Sequence, residues 1–75
     1  MKLSETKENT EVVISGITGD TRFISRITSI GLTPGCHVQI IKNDKNRPVL
    51  LYSRDTMIAV NRMECAGIAV TEVRK

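Results

Sequence analysis

Five short apolar segments recur along the chain: Glu11 to Gly16, which carries three successive β-branched residues, Cys36 to Lys42, Val49 to Ser53, Thr56 to Val60 and Ile68 to Thr71. Each is too short for an independent helix, and each ends at turn formers or a polar loop, which is the pattern of strands. The chain has only 75 residues, so a sheet of this kind buries enough apolar area only by curving onto itself, which also protects its edges.

The joints between these segments carry their own chemistry. Thr18-Gly19-Asp20-Thr21 supplies a turn and a helix N-cap, since a side-chain oxygen there accepts from a free amide of the first turn. Phe23, Ile24, Ile27 and Ile30 then recur at helical spacing and form one apolar face, expected to be core. Gly31 permits the left-handed close of that helix, and Thr33-Pro34-Gly35 reverses the chain. Arg54-Asp55 leaves two residues between apolar runs, the length of a tight hairpin. Asn61 is placed to cap a single helical turn that Gly67 ends.

The expected fold is mainly β. It is a small SH3-like barrel of about five antiparallel strands, with one short α-helix between strands 1 and 2. Residues 1–10 are polar and are expected to be a flexible N-terminal arm, with the barrel domain over residues 11–75.

Several functional classes are disfavoured. The net charge of +3 comes from basic residues scattered along the chain, and Phe23 and Tyr52 are the only aromatic residues. Neither a phosphate-tracking stripe nor a base-stacking platform results, so no nucleic-acid partner is expected. Gly16 and Gly19 are not followed by lysine at the spacing of a phosphate-binding loop. His37 is the only histidine, and no pair of carboxylates is identifiable as converging on it, so no enzyme activity is expected. The N-terminus lacks an apolar leader, and runs such as Val49-Leu50-Leu51-Tyr52 are too short to span a bilayer, so a cytoplasmic protein without membrane insertion is expected.

Cys36 and Cys65 have neither CxxC spacing nor the density of a disulfide scaffold, and are read as free thiols. With His37, Met57, Met63 and Glu64 they form the one set from which a soft metal site could be assembled. Cys36 and His37 alternate across a strand, however, so their side chains point to opposite faces. The favoured reading is two small core thiols, with no metal and no cofactor.

Candidate partner-binding residues are Leu32, Thr33 and Pro34, which follow the helix in a turn, with Arg54 and Arg62. An apolar residue on a rigid turn suits an anchor and arginine suits an interface. For Leu32 a second role is open: it can touch Ile27 as the apolar contact of a Schellman cap.

The segment Ile27-Thr28-Ser29-Ile30-Gly31-Leu32-Thr33-Pro34-Gly35, followed by Val38 and Ile40, resembles the apolar-x-x-apolar-Gly-Leu-x-Pro-Gly signature of the FeoA family. Ile58 to Cys65, followed by Ile68-x-Val70, is similar to the closing pattern of that family. Asn61 stands where the family usually has arginine, Cys65 where it has a small buried alanine, and the loop Asn43 to Arg47 lacks the customary glycine. The resemblance, which covers roughly residues 11–71, implies an accessory protein of bacterial ferrous-iron uptake. Its expected partner is a FeoB-like membrane iron transporter, bound and modulated at the cytoplasmic GTPase region. The alternative is a metal-responsive module with its own transition-metal site. The same barrel closes DtxR-like repressors, but no winged-helix segment precedes it here, so a repressor role is not expected.

Overall fold

The computed structural model describes residues 1–73; Arg74 and Lys75, the end of the expected domain, lie outside the described residues. The strands are β1 (Glu11–Ile17), β2 (His37–Lys42), β3 (Val49–Ser53), β4 (Thr56–Val60) and β5 (Ile68–Glu72). Helix α1 (Thr21–Ser29) joins β1 to β2, and the single turn α2 (Arg62–Cys65) joins β4 to β5. All neighbouring strands are antiparallel, in the order β4-β3-β2-β1-β5. Every strand that the sequence predicts is present, within a residue or so at each end.

Alternation explains the core. Val12 and Ile14 of β1, Val38 and Ile40 of β2, Val49 and Leu51 of β3, Ile58 and Val60 of β4 and Ile68 and Val70 of β5 all point inward and are buried. Two irregularities bend the sheet around them: the β1–β5 register shifts between Ile14 and Gly16, and the β2–β3 register between Ile40 and Lys42. Such bulges add local twist, which lets a short sheet wrap.

The helix ends follow their expected chemistry. The Asp20 side chain accepts from the Phe23 amide at 2.8 Å. At the other end Gly31 has φ of +100°, the Leu32 amide donates to the Ile27 carbonyl at 3.2 Å, and the Gly31 amide donates to the Thr28 carbonyl at 3.0 Å. These two bonds make a Schellman cap. The apolar face of α1 is only partly core. Ile27 is buried and Phe23 packs against the core, but Ile24 is 37% and Ile30 is 42% exposed. Ile24 lies about 60° around the helix from Ile27, beyond the narrow stripe that meets the sheet. Ile30 is the C-cap, where the chain turns and Leu32 takes the inward place.

The first ten residues are not a loose arm. Leu3, in a 3-10 turn over Leu3–Glu5, is fully buried in the core cluster. The Asn43 side-chain amide donates to the carbonyls of Ser4 and Thr6, and the Asn43 backbone amide donates to Glu8 Oε2 at 2.8 Å. The Val70 amide donates to the Met1 carbonyl at 2.7 Å, so the N-terminus lies along the outer edge of β5.

The β3–β4 hairpin has a two-residue loop, because Ser53 pairs with Thr56. Arg54 and Asp55 have φ of 51° and 65°, as a type I′ turn requires, yet neither is the asparagine or glycine that takes such angles cheaply. Replacing both, Arg54→Asn with Asp55→Gly, is expected to stabilise by about 1 kcal/mol and raise the melting temperature by roughly 4–8 °C. A thermal melt followed by circular dichroism checks this.

Candidate functional site

The structure separates the five candidate contact residues. Leu32 is fully buried in the core cluster, so it is the cap contact and not a surface anchor. The Leu32 amide bond to Ile27 fixes the turn, and this aims the side chain inward. Thr33 is half-buried and Pro34 exposed on the turn after α1. Arg54 is exposed at the hairpin tip.

Pro34 and Arg54 belong to one end of the sheet, and the link is physical. Ser53, next to Arg54, places its hydroxyl 3.3 Å from Cys36 Sγ and donates to the His37 carbonyl at 3.2 Å. The α1–β2 turn and the β3–β4 tip are thereby held side by side. Arg62 lies at the other end, where its Nη2 donates to the Asp44 carbonyl in the β2–β3 loop. That bond makes Arg62 a strut between α2 and the loop.

A charged seam runs from α1 to α2. Arg26 Nη2 lies 2.8 Å from Glu64 Oε2, a charge contact whose angle leaves Glu64 Oε2 without a directed hydrogen bond. Asn61, the departure from the family pattern, has a local role. Its side chain accepts from the amides of Met63 and Glu64 at 3.0 and 3.2 Å and so starts α2.

Cys36 and His37 do point to opposite sides, the thiol inward and the imidazole outward. His37 Nδ1 meets Glu11 Oε2 at 2.8 Å on the surface. Cys65 is fully buried against the Val60 carbonyl. Among the described residues, no three histidine, cysteine, aspartate or glutamate side chains gather as a metal cluster, and no helix is long and apolar enough to cross a membrane.

Burial pushes the Cys65 thiol above its ordinary range; Arg62 opposes the shift and Glu64 adds to it. The folded protein therefore holds this proton more tightly than the unfolded chain does. The resulting stability is complete below the thiol's ordinary value and is lost as pH rises from there through the raised value of the folded state. Denaturation curves are expected to show falling stability on the alkaline side, and Cys65→Ala is expected to flatten that fall. In the native state neither thiol is expected to react with a disulfide reagent at neutral pH.

A family model for the FeoA domain matches residues 1–72. No significant match was found among curated proteins. The fold is similar to the crystal structure of an iron uptake regulatory protein (FeoA), with a TM-score of 0.92, 20% identity and coverage of 97% of each chain. It is also similar to Stenotrophomonas maltophilia FeoA complexed with zinc, described as a procaryotic SH3 domain protein, with a TM-score of 0.80, 21% identity and coverage of 95% of this chain and 89% of that one. A manganese-dependent transcriptional repressor matches with a TM-score of 0.88 and 11% identity; 97% of this chain is covered but only 41% of the repressor. At these identities the structural likeness establishes an SH3-like fold.

Proposed function

From the premise that this chain belongs to the FeoA domain family and so has a role in ferrous-iron transport, we propose that it is a non-catalytic adaptor. Its partner in this reading is a FeoB-like membrane iron transporter, which it binds at the cytoplasmic GTPase region and whose transport or GTP turnover it tunes. The observation that carries the reading is the match over residues 1–72. Family likeness therefore extends over all five strands and the packed N-terminus, rather than over one local motif.

The chemistry on offer favours binding. Both thiols are buried and the histidine is engaged with Glu11, so the surface presents apolar and cationic contacts rather than a reactive group. The contact end we assign carries Thr33, Pro34 and Arg54. A proline on a rigid turn gives apolar area at little entropic cost, and arginine beside it suits a carboxylate of the partner.

Nuclear magnetic resonance mapping with the transporter's cytoplasmic domain tests this assignment. Perturbed amides are expected over residues 33–37 and 53–56, and Arg54→Glu is expected to weaken binding about tenfold. Perturbations confined to Arg62 and the β2–β3 loop would overturn the assigned end.

A further inference from the structure

The two edge strands of the sheet, β5 and β4, are treated differently. In the antiparallel ladders, alternate residues of each strand aim their N–H and C=O groups to opposite sides. On β5 the backbone groups of Val70 aim outward, and its amide donates to the Met1 carbonyl at 2.7 Å. On β4 the two-residue hairpin makes Ser53–Thr56 a hydrogen-bonded pair, so Thr56, Ile58 and Val60 bond to β3 while Met57 and Ala59 aim their backbone groups outward. Met57 and Ala59 are both exposed, and among the described residues no hydrogen bond from outside the β3 ladder takes these groups.

The β4 edge also lacks the usual protection. Its sequence Thr-Met-Ile-Ala-Val contains no charge and no proline, and its register with β3 runs unbroken by any bulge. The outer face beside it is apolar: Met57 is 50% and Tyr52 is 37% exposed, and they are cross-strand partners. An unbulged, uncharged edge with an apolar flank is a template for strand addition.

We propose that the occupant of this edge is a second copy of the chain, paired antiparallel through β4 about a two-fold axis at Ile58. The edge is its own complement in that register. Met57 of one copy stands opposite Ala59 of the other, and the reverse holds across the axis, so a large side chain meets a small one twice. Both outward residues exchange N–H and C=O bonds, about four in all. The product is a continuous sheet through both copies, with the Tyr52–Met57 flank of each extended across the seam. An isologous contact of this kind closes at two copies and leaves the Pro34 and Arg54 turns exposed. The inference does not depend on the transporter partnership.

The test is sedimentation velocity on the full chain from about 10 μM to about 1 mM, the range suited to a small interface. The apparent mass is expected to rise from that of one chain toward that of two. Two variants locate the contact. Ala59→Pro removes an outward N–H without touching the β3 ladder, and Met57→Lys sets like charges on both sides of the axis. Each is expected to remain a monomer throughout while its melt shows a folded protein, and should Ala59→Pro unfold, Met57→Lys decides alone. In the parent chain, amide exchange at Met57 and Ala59 is expected to slow as concentration rises. A single chain's mass at every concentration overturns the proposal, as does association that survives in the folded variants.

Discussion

Leu3→Ala is expected to destabilise the protein by about 2–5 kcal/mol, the usual cost of emptying a fully buried leucine site. A domain of this size has a total stability that is often near 5 kcal/mol, so the variant is expected to be partly unfolded at room temperature. Leu3 has no solvent exposure and belongs to the main core cluster. Its loss also loosens the turn whose carbonyls Ser4 and Thr6 bind Asn43. Urea denaturation checks this by the shift in midpoint; a change under about 1 kcal/mol means that residues 1–10 are an arm after all.

The second large effect is expected at Gly67. A Cβ there falls 2.6 Å from the Thr18 carbonyl oxygen and 2.9 Å from Phe23 Cε2. The backbones cannot separate freely, since the Thr18 amide donates to the Gly67 carbonyl at 2.8 Å. Nor can Phe23 simply swing aside, because it packs against the core cluster. Gly67→Ala is therefore expected to cost about 2–3 kcal/mol or more through overpacking against backbone. Gly16→Ala is the control: no atom lies within 4 Å of its Cβ position, and a change below about 0.5 kcal/mol is expected there. Equal melting temperatures for the two variants contradict the close approach.

What could be read from the sequence was what local chemistry decides. Strand positions followed from short apolar runs bounded by turn formers, and the ends of α1 followed from Asp20 and Gly31, because caps and turns are made by neighbours in the chain. Contacts made across the fold gave no such signal. Leu3 stands alone in a polar stretch, so no periodicity marked it as core, and the turn that carries it is tied to Asn43 far along the chain. Gly67 reads as a helix stop, yet its tightest constraint comes from Thr18 and Phe23. Ile24 shares a helical period with Ile27, but only the position of the sheet decides that one is buried and the other half-exposed.

The candidate contact residues divided along the same line. Leu32 had two readings that sequence left equal, and the amide bond to Ile27 with its full burial selects the cap. Arg62 looked like any exposed arginine until its bond to the Asp44 carbonyl made it a strut. That Pro34 and Arg54 share one end depends on Ser53 reaching Cys36 and His37, a pairing of β2 with β3 that neither motif encodes alone.

The most direct test of the adaptor reading is a calorimetric titration of the full chain against the cytoplasmic domain of a FeoB-like transporter from the same cell, with and without a metal chelator. Saturable binding that persists in chelator is the predicted result. No heat of binding with a folded partner, or binding that vanishes in chelator, contradicts it, and the latter outcome moves the function to a metal-responsive module.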